Sequence, residues 1–446
     1  MSSRLPALLV LAAVSTASTC DSNVGDGATR SQETVRISVP AAGGESVLDA
    51  TRPAVSADGR YVVFESAADD LVVPDGNGYV DLFRKDRLTG ELKNLTRHSP
   101  TLIFGTDGVP YDFLLADATS AAVARDGSVA FLSKGKFDIT TPMPLGPGPT
   151  INAWVYGRSF FAFDTWCDAV PMHIYGWPNR DCSDISISDD GRWVAFVTGA
   201  SNLGYSNPGF IPQVYVCDMS LIEPIPRLVS RESFGLIANA ACSDARISRD
   251  GSSVVFISSA SNLGNGQRHV FVATAPHGFT VPQMVTVLPG TSTPAAGQFA
   301  VPAISGDGRY VGLLAKGSDL VPGSVPTNVY LTRIDRGPAP SAQNVTQFAW
   351  VTPGVFPSGA PFSMSDDGTI AFRSAGGAPQ ILTARPDSSE LTSVSISSAG
   401  KFADLSCQNP MISSDGRWVV WDSVSTNLVP DDTNVKKDVF LRGPLR

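Results

Sequence analysis

Five polar side chains stand at matched places in this chain. Arg52, Asp184, Asp244 and Asn409 each lie six residues ahead of an Asp-Gly pair, and Arg246 lies four ahead of one. Carboxylates accept hydrogen bonds and serve as acids or bases, while arginine offers a rigid fork of donors suited to oxyanions. Gathered around one opening, such a set can hold a polar partner, or act on one with a carboxylate as acid and another as base. Nothing beside them completes a nucleophilic or metal centre. The chain has no G-x-S-x-G, no Walker loop and no H-E-x-x-H, and its four histidines, His98, His173, His269 and His277, fall at unrelated places. No cofactor is implied.

The Asp-Gly pairs define the elements that must position these residues. Seven recur, at Asp58-Gly59, Asp126-Gly127, Asp190-Gly191, Asp250-Gly251, Asp307-Gly308, Asp367-Gly368 and Asp415-Gly416, with a spacing near that of propeller blades. Two residues before the Asp stands Ser56, Ser188, Ser248, Ser305, Ser365 or Ser413, with Ala124 the exception. After each Gly comes an apolar, β-branched or aromatic run such as YVVF, WVAF or WVVW, which reads as a strand packed on both faces. Asp-Gly between two such runs signals a hairpin. A third strand follows as polar-Val-Phe/Tyr, in Gln213-Val214-Tyr215 or His269-Val270-Phe271, and a looser fourth leads to the next copy. Four antiparallel strands repeated radially make an all-β propeller. After the seventh pair only two more strands fit, and TVRISV, residues 34–39, is an orphan strand before the first. That run is expected to close the last blade and so remove an exposed edge.

ISISDDGRWVAF, AISGDGRYVGLL and MISSDGRWVVWDS resemble the repeats of the TolB-like, or WD40-like PD40, propeller family, over about residues 34–446. The resemblance implies a seven-bladed ring. Copies two and six, ARDGSVAF and SDDGTIAF, are one residue shorter, which leaves six blades as the alternative. Alternation along the first strand of each blade places positions three and five before the Asp between blades. Positions two, four and six then face the channel, which puts Arg52, Asp184, Asp244, Arg246 and Asn409 at its mouth.

Composition agrees with many short strands. Only 17% of residues are charged, and 41 Gly and 33 Pro supply turns. The formal net charge of −9 and the absence of a basic cluster exclude a nucleic-acid partner. At the N-terminus, Arg4, an apolar stretch from Leu5 to Val14 and small residues up to Thr19 read as an export signal over residues 1–19. Ala17-Ser18-Thr19-Cys20 resembles a bacterial lipobox, so Cys20 is expected to carry a lipid, with residues 20–33 as a tether.

In an oxidising compartment the cysteines that bracket an insertion, Cys167 and Cys182, are expected to form a disulfide, with Cys217 to Cys242 as a second pairing. Two loops collect oxygen ligands: Asp75, Asn77 and Asp81 in PDGNGYVDLF, and Asp431, Asp432, Asn434 and Asp438 in PDDTNVKKDVF. They lack the terminal Glu of a calcium loop, and Asx side chains also cap turns, so the leading expectation is no metal, with calcium the minor alternative. The functional expectation is a non-catalytic binding or scaffold protein of a bacterial envelope, periplasmic or secreted, presenting one propeller face to a protein or glycan. The alternative is an enzyme acting on polysaccharide or peptide through carboxylates at the channel mouth.

Overall fold

The structure, a computed structural model, describes residues 32–73, 78–96, 117–134, 151–156, 167–170, 178–221, 225–274, 280–321, 323–325, 327–337, 343–353, 361–386 and 390–445. The expected signal and Cys20 lie outside the described residues, as do Asp75 and Asn77.

Seven four-stranded antiparallel sheets form the blades. After β1 (Glu33–Arg36), blade one comprises β2 (Ala50–Val55), β3 (Tyr61–Ser66), β4 (Asp81–Asp86) and β5 (Leu92–Asn94). Blade two comprises β6 (Ala118–Val123), β7 (Val129–Ser133), β8 (Asn152–Tyr156) and β9 (Cys167–Val170). Blade three holds β10 (Cys182–Ile187), β11 (Trp193–Thr198), β12 (Gln213–Asp218) and β13 (Arg227–Leu228). In blade four are β14 (Cys242–Ile247), β15 (Ser253–Ser258), β16 (His269–Thr274) and β17 (Gln283–Met284). Blade five is built from β18 (Gln298–Ile304), β19 (Tyr310–Lys316), β20 (Asn328–Asp335) and β21 (Asn344–Pro353). Blade six has β22 (Phe362–Met364), β23 (Ile370–Arg373), β24 (Ile381–Ala384) and β25 (Leu391–Ser393). Blade seven joins both ends of the chain. Its inner three strands are β26 (Cys407–Ile412), β27 (Val419–Ser423) and β28 (Asp438–Gly443), and its outer strand is β1, paired to β28 from Glu33↔Gly443 to Arg36↔Phe440. The alternative count of six falls away, because the short copies two and six each form a complete sheet.

The Ser-x-Asp-Gly repeat makes the turn between the first two strands. In blade one the Ser56 hydroxyl donates to the Asp58 carboxylate at 2.8 Å and accepts the Tyr61 amide at 2.9 Å, and Gly59 at φ +73° supplies the left-handed step. The same pair is made by Ser188–Asp190, Ser248–Asp250, Ser305–Asp307, Ser365–Asp367 and Ser413–Asp415. Aromatic pairs directly opposite one another then seal the middle strands, as in Phe64–Phe83 at 5.7 Å and Trp421–Phe440 at 6.0 Å between centroids.

In blades one, three, four and six the polar residue that opens or just precedes the third strand is a latch. Its side chain meets a Ser or Thr hydroxyl two residues past the outer strand: Asp81 with Thr96, Gln213 with Ser230, His269 with Thr286, and Gln380 with Ser395. In blade seven Asp438 accepts the Ser38 hydroxyl, so the N-terminal strand repeats the bond its sister strands make. The same hydroxyls accept the next backbone amide, as Ser38 does from Val439 at 3.0 Å. Most buried polar groups at these places are therefore satisfied within the blade, with the His269 Nε2 atom an exception.

Apolar clusters fill each junction between neighbouring blades. Their packing corrects the cysteine expectation. Cys182 and Cys217 are free, buried thiols in the cluster between blades two and three, and Cys242 and Cys407 are free and buried as well. Cys167 lies on the outer strand of blade two, whereas Cys182 opens the inner strand of blade three, opposite Thr198. Residues close in sequence thus sit at different radii, and the Cys167–Cys182 bridge is not formed.

Candidate functional site

Six of the seven inner strands carry the same irregularity. In β2 the pairing to β3 jumps from Thr51↔Glu65 to Ala54↔Val63, which leaves Arg52 with φ +49°. Ser120, Asp184, Asp244, Val301 and Asn409 occupy the equivalent bulges with φ between +49° and +60°. A left-handed backbone at a residue other than glycine costs on the order of 1 kcal/mol, and it is tolerated best by Asn and Asp. Blade six has Pro361 at this place, whose ring forbids a positive φ, and β22 pairs to β23 without a shift. The bulge re-aims the side chain it carries.

It also ties blades together. The Arg52 amide donates to Asp422 of blade seven at 3.0 Å, the Ser120 amide to Glu65 of blade one at 2.8 Å, and the Asp244 amide to Asp184 of blade three at 3.0 Å. Side chains extend the belt: Arg52 reaches Glu65 at 3.2 Å, Asn409 donates to Asp422 at 2.6 Å, and Arg268 approaches Asp244 at 3.4 Å. Burial pushes both Glu65 and Asp422 above the usual carboxylate range, against the pull of their hydrogen-bond donors. The second oxygen of Asp422 has no partner, although the residue is fully buried.

All five expected mouth residues therefore lie on the inner strands, four of them at the bulge. Arg246 stands apart. It is exposed and donates only to its neighbour's carbonyl, Ala245, at 2.8 Å. The strict alternation expected for these strands fails at the bulge. Ser186, four residues ahead of its Asp, is buried and accepts the amide of Ile247 in the next blade, and Ser363 does the same with Ile412 in blade six, where no bulge is present. Glu65 and Asp422 went unanticipated, and their signal was an acidic residue closing an otherwise apolar second strand, in YVVFES and WVVWDS.

At the opposite ends of the inner strands the residues just ahead of each Asp-Gly meet around the axis. Backbone bonds join Arg125 to Asp189, Asp189 to Arg249 and Asp366 to Ser414. Arg249 of blade four reaches Asp189 at 3.4 Å, the Val123 carbonyl of blade two at 3.1 Å and the Val55 carbonyl of blade one at 3.4 Å, so its guanidinium spans the axis. Asp366 lies over Gly306, where any Cβ would collide with its carboxylate. Burial, followed by the charge of Asp189, pushes Asp366 up to about 6.

Among the described loop carboxylates, Asp81, Asp432 and Asp438 have partners within the chain. Asp81 accepts from Asn94 and Thr96. Arg36 stands among Glu45 at 3.2 Å, Asp438 at 3.5 Å and Asp432 at 3.6 Å, and its guanidinium is the cation of that loop. Asn434 donates to the Ser46 carbonyl, while the Asp431 carbonyl accepts from Arg36. No cluster of three His, Cys, Asp or Glu suited to a metal occurs among the described residues.

A ring of seven four-stranded blades, sealed by its N-terminal strand and built on a Ser-x-Asp-Gly turn, defines the class: a seven-bladed β-propeller. Among solved structures it is similar to TolB from Acinetobacter baumannii, at 14% identity and a TM-score of 0.37 over 70% of this chain and 58% of that one. It is also similar to a puromycin hydrolase, at 13% identity and 0.47 over 87% and 53%, and to a puromycin-hydrolyzing peptidase of Mycobacterium tuberculosis, at 14% and 0.41 over 86% and 61%. The chain thus spans little more than half the length of each. No protein-family model and no curated protein matches it.

Proposed function

We propose that the protein is a non-catalytic binding scaffold of a bacterial envelope, periplasmic or secreted and tethered through a lipid on Cys20, which presents the channel mouth to a protein or glycan partner. The observation that supports this reading is the belt of Arg52, Asp184, Asp244 and Asn409, set on strained backbone and cross-linked between blades. Strain maintained at matching positions around an opening preorganises polar groups for a partner. Four described cysteines and His269 are buried away from it. Cys182 is pushed up to about 12 by burial, Cys242 and Cys407 to about 11, and His269 is locked in its latch with its pKa lowered by burial.

A second reading, an enzyme acting on polysaccharide or peptide, is favoured by one feature. Glu65 and Asp422 are buried carboxyls beside Arg52 whose pKa values burial raises, the direction that suits a carboxyl to general acid work. Affinity capture from envelope extracts separates the two. The wild-type chain is expected to retain a partner that Arg246→Glu and the Asp184→Asn/Asp244→Asn pair release, with no turnover across a glycan and peptide panel. Turnover lost in Glu65→Gln or Asp422→Asn would establish the enzyme instead, and a partner indifferent to all three mouth substitutions would exclude this site.

A further inference from the structure

The hydroxyl of each latch works in both directions. Thr96, Ser230, Ser395 and Ser38 donate to an oxygen of Asp81, Gln213, Gln380 and Asp438, and each accepts the amide of the residue after that partner, Leu82, Val214, Ile381 or Val439. Blade four departs in one atom. There the partner is His269, the only histidine among the described residues, with its Nδ1 2.9 Å from the Thr286 hydroxyl oxygen. That oxygen accepts the Val270 amide at 3.2 Å, as its counterparts do, which leaves the hydroxyl hydrogen to point at the ring. Nδ1 is thereby assigned as the acceptor, and the ring is neutral with its own hydrogen on Nε2. The Nε2 atom is buried and meets no acceptor.

We infer that the blade-four latch is an acid-sensitive switch: protonation of Nδ1 turns the acceptor into a donor, the Thr286 hydroxyl loses its partner, and the outer edge from Gln283 to Ala295 comes free. Little else holds that edge. β17 adds only the pairs Phe271↔Met284 and Val272↔Gln283 to the sheet, and Ala295 is bound back through the Thr286 carbonyl itself. An imidazolium here would be a buried cation, since His269 is 1% exposed, with a second N–H unsatisfied. Nothing around the ring offsets that. Ser258 opposite it on β15, Thr286 past β17, and Phe299 of β18, stacked on the ring at 5.7 Å, are all uncharged. Its neighbour Arg268 is turned to the Phe299 carbonyl and to Asp244, and no carboxylate bonds to the ring. Burial accordingly holds the His269 pKa below its ordinary 6.5. A released edge returns the ring to water and to that ordinary value, so opening grows as pH falls below 6.5 and is insensitive to pH above it. Val285, Val287 and Ala295, now buried in one cluster with Phe299, are the apolar groups that opening uncovers.

Hydrogen exchange of the full chain at pH 7.5 and pH 5.0 tests this, read as the rate of residues 283–295 relative to residues 227–238 of blade three, whose Gln213–Ser230 latch does not titrate. In the wild-type protein that ratio is expected to rise on the order of tenfold in acid, the equivalent of one pKa unit. His269→Gln, which installs the latch residue of blades three and six, should keep the edge protected at both pH values. Thr286→Val, which lacks the hydroxyl, should exchange fast at both. A wild-type ratio that does not change, an equal rise in the glutamine variant, or a protected edge in Thr286→Val would each overturn the proposal. Should the variants not fold, the ring ¹⁵N shifts of the wild-type protein decide it: an Nε2–H tautomer titrating below 6.5 supports the switch, and an Nδ1–H tautomer or an ordinary or raised pKa removes it.

Discussion

Asp366 shows how single residues at the axis set a pH dependence. It sits with Asp189 and Arg249 where the Asp-Gly ends converge, and burial pushes its carboxyl from an ordinary 3.8 up to about 6. In the interval between those values the folded protein binds a proton that the unfolded chain releases. Stability therefore falls as pH rises from about 4 to about 6 and stays lowered above that. Asp366→Asn removes the penalty. Because Asp366 is exposed, the gain is small, roughly 1 °C in Tm at pH 7.5, and it vanishes at pH 4. Thermal melts at the two pH values check this, and a variant whose advantage grows in acid contradicts the sign. The bulge residues obey a different local rule. Asn409, Asp184 and Asp244 suit a left-handed backbone, whereas Val301 adopts it only because pairing on both sides of the bulge leaves it no alternative.

Strands carry their own ionic logic, clearest at Arg36 on β1. Its side chain is 8% exposed and faces Glu45, Asp432 and Asp438, the last two almost wholly buried. Arg36→Met strands these carboxylates without a cation, at a cost of about 3–5 kcal/mol near neutral pH. The deficit should shrink at pH 4.5, because Asp432, already pushed up to about 6 by burial and by Asp438, then takes up a proton. Urea unfolding at both pH values measures it, and an equal loss at each would show that packing rather than charge is at stake. Elements of this kind are legible in sequence where short-range pattern carries them: Ser-x-Asp-Gly, the apolar run and the polar residue of the latch are all local, and Thr34–Val39 reads as an outer strand for the same reason. The belt between blades is only half legible. Alternation locates Arg52, Asp184, Asp244 and Asn409, but the bulge that breaks alternation has no local mark except the proline that forbids it in blade six. Arg249 spans the axis through contacts more than a hundred residues away in sequence, which no local spacing encodes. Cys167 and Cys182 misled because nearness along the chain crosses from one blade's rim to the next blade's hub.

At the scale of the whole ring, each blade packs on two neighbours, and closure is what gives blade seven its second edge partner. β1 pairs with β28 along its full length, Ile37 extends the ladder to Val439, and Thr34 is held by the Ser398 hydroxyl beside blade six. Without that strand, β28 presents Val439 and Leu441 in an unpaired edge, next to an Asp438 that has lost its latch to Ser38. Such an edge recruits another copy of itself. A variant lacking residues 32–39 should therefore form concentration-dependent oligomers in light scattering. It should lose hydrogen-exchange protection at Leu441 and Gly443 while blades three and four keep theirs, because their contacts are to neighbours that remain. The hexapeptide TVRISV added in trans should restore the monomer, since it carries both the β-ladder and the Ser38 hydroxyl. A shortened chain that stays monomeric with blade seven fully protected would mean that the ring holds its last blade through the inner-strand clusters alone, and that the N-terminal strand contributes no closure.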